Sequence, residues 1–242
     1  MEKTICCFVL LIGLFFIAAL GSAAQDAGSV VLKQQGRLTL SLELEIAKKN
    51  SNSLDRTISV IFGANPNAYA TGFLVGDGLV MTAYHVVSGE LSDVKKMNLG
   101  FKPEDHLDVK VYVKGCRANV IRVDKDADLA LLEICGSRKQ TKAPAFQTDP
   151  RKDEKLLLIA RPRGDKMVSE GLFYGSYDFR GLEFWSAKLV SHDGYSGSPV
   201  YNHKAEVVGV FSGYDRVQDL ALISPGIRAQ KLLEDYISNS RP

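Results

Sequence analysis

The octapeptide DGYSGSPV, residues 193–200, places a serine where it could act as a nucleophile. Ser196 lies in a Gly-x-Ser-Gly order, and glycines let a loop turn tightly enough for neighbouring amides to face one point. Each amide aimed at a developing oxyanion contributes about 2.7–4 kcal/mol to catalysis. The motif therefore predicts Ser196 as a nucleophile with the amides of Gly194 and Ser196 as an oxyanion hole. A simple turn is the alternative, but a turn would explain only the glycines and not the position of the serine between them.

The same octapeptide does not fit the nucleophile elbow of an α/β-hydrolase. That elbow needs a Gly-x-Ser-x-Gly order between a strand and a helix. Here Ser198 stands two residues after Ser196, and Pro199 prevents an immediate helix. The hydrolase interpretation is therefore excluded.

A serine hydroxyl is a weak nucleophile without a base beside it, so a histidine and an orienting group are required. His85 ends an apolar run in VMTAYHVVSG and is the predicted base. Asp128 directly precedes the apolar run LALLEI, where a carboxylate can be buried against the imidazole ring. Asp124 and Asp126 are competing carboxylates, but their surroundings are typical of a turn.

Three blocks, TAYHVV, DADLALLEI and GYSGSPV, carry these residues in the order His, Asp, Ser. Together they resemble the catalytic blocks of the chymotrypsin-like (trypsin-fold) serine proteases, over about residues 57–238. The resemblance is strongest to the bacterial-type branch of glutamyl endopeptidases and HtrA-like proteases. In the glutamyl endopeptidases the serine block reads Gly-Asn-Ser-Gly-Ser-Pro-Val, and Tyr195 stands here in place of the asparagine.

The resemblance implies an all-β fold of two packed six-stranded antiparallel β-barrels with a C-terminal helix. His85 and Asp128 would come from the first barrel and Ser196 from the second. Such a triad would make the protein a secreted serine endopeptidase that works through an acyl-enzyme. A catalytically inactive trypsin-fold binding protein is the alternative, because Tyr195 could distort the oxyanion loop. An esterase using the same triad is a third possibility.

The resemblance also assigns a substrate pocket for the residue before the scissile bond. The position that binds an acidic side chain in glutamyl endopeptidases holds Phe211, and the pocket-base position holds Val190. Neither can pair with a charge, so cleavage after uncharged residues is expected. The predicted lining is Val190, Ser191, Phe211, Ser212 and Gly213.

The apolar pattern of the chain independently predicts an all-β protein. Short apolar runs alternate with polar residues and are separated by Gly, Asp, Asn and Pro. The run 38–46 fits a strand or a helix. One clear helix ends the chain, with Ser224 as its expected N-cap and Pro225 as its first residue. The runs are LTLSLELEI (38–46), TISVIF (57–62), GFLVGDGLVMTA (72–83), DVKVYV (108–113), NVIRV (119–123), LALLEI (129–134), KLLLIA (155–160), FWSAKLV (184–190), SPVYN (198–202), EVVGVFSG (206–213) and LALIS (220–224).

The first residues of the sequence indicate export from the cytoplasm. Lys3 precedes an apolar run over residues 5–20, and small residues follow, which is the order of a secretory signal peptide. A retained membrane anchor is the alternative. We expect a signal peptide over residues 1–24, an N-terminal extension over 25–56 and a trypsin-like domain over 57–242. The expected location is extracellular or periplasmic, with no membrane contact after signal cleavage.

Two cysteines, Cys116 and Cys135, lie outside this signal. The segment between them is nearly symmetric about Lys125 and Asp126, so a hairpin turning there would bring the two cysteines opposite each other. Facing residues of antiparallel strands are close enough for a disulfide. A disulfide is therefore expected, with two buried free thiols as the alternative.

Composition excludes several other functions. A formal net charge of +2 without a basic stripe gives no indication of a nucleic-acid partner. His192 and His203 lack the spacing to Cys or acidic partners that zinc requires, so no metal and no cofactor are expected. Polypeptide substrates are the expected partners.

Overall fold

The described part of the chain forms two closed antiparallel β-barrels of six strands each. The structure, a computed structural model, describes residues 28–49, 67–136 and 142–239. The predicted signal peptide and the run TISVIF lie outside these residues. The two-barrel fold predicted from the sequence is confirmed.

The first barrel closes in the order β1-β2-β3-β6-β5-β4. Two short helices, Tyr84–Ser88 and Asp93–Asn98, lie between its third and fourth strands. The strands are β1 (Thr39–Lys48), β2 (Asn67–Gly76), β3 (Leu79–Ala83), β4 (Leu107–Val113), β5 (Cys116–Asp124) and β6 (Leu129–Glu133).

The second barrel closes in the order β10-β11-β12-β9-β8-β7. A single 3-10 turn, Pro162–Gly164, follows its first strand, and the helix Gly226–Asn239 follows its last. No helix in the described residues has the length and apolar character to cross a bilayer. The strands are β7 (Lys155–Ala160), β8 (Met167–Phe179), β9 (Leu182–Lys188), β10 (Pro199–Tyr201), β11 (Val207–Asp215) and β12 (Leu220–Pro225).

The run 38–46, which fitted either a strand or a helix, forms β1. Leu40, Leu42, Leu44 and Ile46 are buried in the first barrel, and the residues between them are more exposed. This spacing of two matches the alternation of a pleated strand. The first barrel therefore begins before the domain boundary predicted at residue 57, and part of the expected extension belongs to the barrel.

Strand β8 was not predicted, although its 13 residues make it the longest strand described. Exposed and less exposed residues alternate along most of it, but the less exposed face includes Ser169 and two glycines, while Leu172 faces outward. The sequence of this strand therefore shows no apolar alternation. A bulge between Phe173 and Gly175 shifts its register against β9.

The run 72–83, predicted as one strand, is a hairpin of β2 and β3 that turns at Gly78, whose φ is +69°.

A shared apolar core joins the two barrels and fixes their relative position. The helical segment 28–35 and the C-terminal helix also pack against it. Each large apolar side chain fully buried in this way contributes about 1.5–3 kcal/mol. The core includes Val31, Phe73, Met81, Leu129, Leu131, Ile159, Tyr201, Val207, Val210, Ala229, Leu232 and Leu233.

The C-terminal helix is confirmed, but its predicted start is wrong. Ser224 and Pro225 are the last residues of β12, and the helix begins at Gly226. Ser224 pairs with Val210 in the ladder between β12 and β11, and its buried hydroxyl has no hydrogen-bond partner among the described residues. Strand pairing has therefore prevailed over the capping preference of serine.

The predicted cysteine hairpin is also present. Strands β5 and β6 pair with Asp124 opposite Leu129, so the chain turns over residues 125–128. The sulfur atoms of Cys116 and Cys135 are bonded, with their Cα atoms 6.2 Å apart. The disulfide closes the hairpin at the end opposite the turn.

Replacing both cysteines by serine should lower the free energy of unfolding by about 3 kcal/mol. The bond spans a sequence separation of 19 residues, and chain-entropy estimates give this value for a loop of that size. Urea unfolding of the wild type and of the double variant, Cys116→Ser with Cys135→Ser, measures the difference. Reduction of the wild type should reproduce it, and equal stabilities would contradict the prediction.

Candidate active site

The structure brings together the three residues predicted as a triad. His85 Nδ1 lies 2.8 Å from Asp128 Oδ2, and His85 Nε2 lies 2.9 Å from Ser196 Oγ. His85 follows β3, Asp128 ends the turn before β6, and Ser196 lies in the loop before β10. Residues from both barrels therefore meet where the barrels face each other.

The hydrogen-bond pattern assigns the roles of the two ring nitrogens of His85. A carboxylate can only accept hydrogen bonds, so the ring nitrogen that faces Asp128 carries a proton. In the neutral ring the other nitrogen is then an acceptor, and it faces the hydroxyl of Ser196. This is the tautomer that can remove a proton from a serine.

The turn that carries Asp128 is held from several sides. The carbonyl of Asp128 accepts a hydrogen bond from the amide of Tyr84 at 3.0 Å, and its Oδ1 accepts one from the amide of His85 at 2.8 Å. Its φ of +52° is left-handed, a conformation that aspartate tolerates better than most residues. Asp124, a competing carboxylate, forms a bidentate ion pair with Arg228 instead.

The carboxylate of Asp128 is buried, with 8% of the residue exposed. Burial on its own raises the pKa of this group. The hydrogen bond and charge of His85, together with a hydrogen bond donated by the Ser212 hydroxyl, more than offset the burial and hold the pKa of Asp128 below its ordinary value. Asp128 is therefore ionised at neutral pH and can stabilise a protonated imidazole.

The loop around Ser196, residues 193–198 and called the serine loop below, leaves two amides available to a ligand. Gly194 and Gly197 have φ values of +87° and +84°, which glycine adopts without strain. Thr71 of β2 fixes the loop, since its hydroxyl donates to the Gly194 carbonyl and its amide donates to the Ser196 carbonyl, both at 2.9 Å. In the described part of the chain, the amides of Gly194 and Ser196 have no protein acceptor.

Gly197 lies so close to the first barrel that no side chain fits. A Cβ atom there would be 2.1 Å from the carbonyl oxygen of Thr71 and 2.1 Å from Oγ1 of Thr82. The Thr82 hydroxyl donates to the same carbonyl at 2.8 Å. The serine loop of the second barrel thus packs backbone to backbone on β2 and β3.

Tyr195, the departure from the usual sequence, packs into the core of the second barrel. Only 3% of the residue is exposed, and this burial raises the pKa of its hydroxyl. Its ring contacts the ring of His192 edge to face, with centroids 5.5 Å apart. Its carbonyl accepts a hydrogen bond from the amide of Ser198, which closes the loop on itself.

The residues predicted to line the substrate pocket have different environments. Phe211 is 3% exposed and belongs to the same core as Tyr195, whereas Val190 is 65% exposed. Ser191, Ser212 and Gly213 are partly exposed near the serine loop. Their role as a pocket stays a prediction.

Two residues that contact the triad or its loop were not recognised from the sequence. Ser212 was assigned to the pocket, but its hydroxyl donates to Asp128. Thr71 fixes the serine loop, and no pattern around it signals that contact. In each case the partner is more than 80 residues away along the chain.

Two six-stranded barrels with Asp, His and Ser hydrogen-bonded at their interface define the class of trypsin-fold proteins. The chain belongs to the family of the trypsin-like peptidase domain, whose family model matches residues 70–210. This membership confirms the predicted resemblance and, at the level of the family, the predicted enzyme class.

Similar proteins agree with this assignment. Glutamyl endopeptidase of Staphylococcus epidermidis is 26% identical over 153 residues, which cover 59% of this chain and 53% of the relative. The chain thus spans about half the length of the curated relatives it matches.

Solved structures share the fold at low sequence identity. Deg5 has a TM-score of 0.58 at 15% identity, with 86% of this chain and 92% of that chain covered. The active form of the Rv3671c protease from M. tuberculosis has a TM-score of 0.55 at 16% identity, with 81% and 79% covered.

Gly197→Ala should destabilise the protein far more than Gly181→Ala. Both glycines have a positive φ, but a Cβ at Gly181 meets nothing within 4 Å. The free energy of unfolding of the control, Gly181→Ala, should therefore fall by only about 1–2 kcal/mol, the cost of a left-handed conformation. That of Gly197→Ala should fall by more than about 3 kcal/mol. Chemical unfolding measures both, and equal losses would contradict the close packing described here.

Asp128→Asn should change how stability depends on pH on the acid side. The folded-state pKa of Asp128 is lowered from 3.8, so its stabilising effect is complete above about pH 4 and is lost as pH falls through the lowered value. The difference in unfolding free energy between wild type and variant should therefore shrink from pH 6 to pH 2. Asp126→Asn, in the same turn, is the control. A constant difference would argue against the lowered pKa.

Proposed function

We propose that this protein is a serine endopeptidase that hydrolyses peptide bonds through an acyl-enzyme. The observation that carries the proposal is the continuous line of hydrogen bonds from Asp128 through His85 to Ser196. Membership in the trypsin-like peptidase family supports it.

In the first step, Ser196 Oγ attacks the carbonyl carbon of the scissile bond while His85 Nε2 takes the hydroxyl proton. The carbonyl oxygen becomes an oxyanion, and the free amides of Gly194 and Ser196 are the donors for it. Asp128 remains ionised and stabilises the protonated imidazole.

Collapse of this intermediate breaks the carbon–nitrogen bond. His85 delivers its proton to the leaving amine, and the acyl group remains on Ser196 Oγ. A water molecule then attacks the acyl carbon, with His85 again accepting the proton. When the second intermediate collapses, His85 returns this proton to the departing Ser196 Oγ, which releases the acid and restores the starting state.

We further propose that the enzyme prefers an uncharged residue before the scissile bond. Phe211 and Val190 occupy the two positions where the family resemblance would place a partner for a charged side chain, and neither has one to offer. The Ser212 hydroxyl is already engaged by Asp128. A charged side chain there would lose hydration without gaining an ion pair, which costs several kcal/mol where burial is complete.

Secretion belongs to the same proposal. The signal-like sequence over residues 1–24 and the disulfide between Cys116 and Cys135 support an oxidising compartment, outside the cell or in the periplasm. Cleavage would follow Ala24.

The alternative of an inactive binding protein was motivated by Tyr195. This side chain packs into the second barrel, and the amides of Gly194 and Ser196 have no protein acceptor among the described residues, so Tyr195 gives little support to the inactive alternative. The geometry therefore favours the enzyme.

Ser196→Ala should abolish turnover while the protein stays folded. Removal of a triad nucleophile typically lowers kcat by about 10⁴-fold or more. Ser198→Ala is a matched control, because the Ser198 hydroxyl has no hydrogen-bond partner among the described residues. Cleavage of a peptide library and labelling by an organophosphonate should occur in wild type and control only. Full proteolysis by folded Ser196→Ala would disprove the assignment.

A further inference from the structure

A second concave site lies beside the serine loop, on the outside of the first barrel. It is a cavity of about 410 Å³ between β1, β2 and the turn at residues 161–164. Tyr69 and Tyr112 form part of its wall. Four basic side chains line it, and Glu43 is the only acidic residue among the lining residues; the basic residues are Arg37, Lys114, Arg161 and Arg163.

Among the described residues that line this basic cavity, only Glu43 opposes its positive charge. None of its four cations takes part in an ion pair within the described part of the chain. The guanidinium of Arg161 donates to the carbonyls of Gly36 and Gly164, each at 3.1 Å, which satisfies hydrogen bonds but leaves the charge in place. Its buried Nε has no partner among the described residues. The cavity therefore favours an anion.

Arg163 is exposed, but its guanidinium lies over the ring of Tyr69 in the wall of this cavity. Its guanidinium carbon lies 5.6 Å from the centre of the Tyr69 ring, within the range of a cation–π contact. A guanidinium offers several donors in a planar fork that matches a carboxylate. Ordering it on the ring reduces the entropy lost when a ligand binds.

A short series of contacts connects the basic cavity to Ser196. The amide of Arg161 donates to the Thr71 hydroxyl at 3.0 Å, and that hydroxyl donates to the carbonyl of Gly194. A Cβ atom placed on Gly194 would be 2.8 Å from Cβ of Pro162. The serine loop and the wall of the cavity are therefore in direct contact.

The basic cavity and the predicted pocket for the residue before the scissile bond are connected to the serine loop through different strands. Strand β11 flanks the serine loop on one side, where the Gly197 amide donates to the Phe211 carbonyl at 2.8 Å. The predicted pocket for the residue before the bond is on that strand, at Ser212 and Gly213. Strand β2 flanks the loop on the other side through Thr71, so we expect the residues after the bond to be directed toward Tyr69 and the basic cavity.

We infer that the basic cavity is a subsite for an acidic side chain, aspartate or glutamate, within the first three residues after the scissile bond. This inference rests on the proposed peptidase function and adds a substrate class to it. The favoured substrates then have an uncharged residue before the bond and a carboxylate shortly after it.

The test uses sets of fluorogenic peptides that differ at one position after the cleaved bond. There is one set for each of the first, second and third positions after the bond, and the peptides of a set carry Glu, Gln or Lys at that position. The kcat/KM of the wild type is measured for each peptide. We expect Glu to exceed Gln by about fivefold at one position and Lys to be the poorest, as a few partly exposed ion pairs would give. Raising the salt concentration should reduce the preference.

Variants of the cavity then identify its residues. Arg163→Gln and, independently, Arg37→Gln should reduce the ratio of Glu to Gln to about twofold or less, and Arg163→Glu should make Lys the preferred residue. Arg180→Gln is the matched control, because Arg180 also has a positive φ and also lies over a ring, that of Phe179. The control should keep the wild-type ratio.

Binding of the same peptides to Ser196→Ala separates this inference from the proposed function. A dissociation constant that favours Glu over Gln and depends on Arg163, without turnover by the wild type, would support the subsite and reject the peptidase. Equal kcat/KM and equal binding of the Glu, Gln and Lys peptides at all three positions would overturn the subsite and leave the peptidase standing.

Discussion

The packing of the serine loop on the first barrel is the contact on which the rest of the site depends. Ser196 belongs to the second barrel, while His85 and Asp128 belong to the first, so the 2.9 Å distance between His85 and Ser196 depends on how the barrels meet. Gly197 permits this meeting, because any Cβ there would overlap Thr71 and Thr82. The shared apolar core supplies the driving force, and the glycine sets the distance.

Polar contacts cross the same interface in both directions. Thr71 of the first barrel binds the serine loop, and Ser212 of the second barrel binds Asp128 of the first. The second contact helps to keep a buried carboxylate ionised, since each donor offsets part of the cost of burial. Charge is also distributed unevenly. The formal net charge is only +2, yet four basic residues that form no ion pair among the described residues lie together beside Tyr69.

Local patterns in the sequence determined much of this protein. The Gly-x-Ser-Gly motif, a histidine ending an apolar strand and an aspartate starting one identified the three residues that the structure brings together. Alternating apolar residues predicted most of the strands, and the near symmetry between Cys116 and Cys135 predicted their hairpin. These features are readable because each one depends on residues close together in the chain, where side-chain period and turn chemistry act directly.

Only the tertiary structure decided the rest. Strand β8 places serine and glycine on its less exposed face and apolar residues such as Leu172 on its outer face, so its sequence shows no apolar period. Ser224 resembles a helix cap until its pairing in β12 is known. Ser212 and Thr71 acquire their roles from partners more than 80 residues away. The basic cavity collects cations from well-separated segments, so its charge has no counterpart in the order of residues along the chain. Contacts across space, unlike periodicity along a strand, exist only once the barrels have closed and packed.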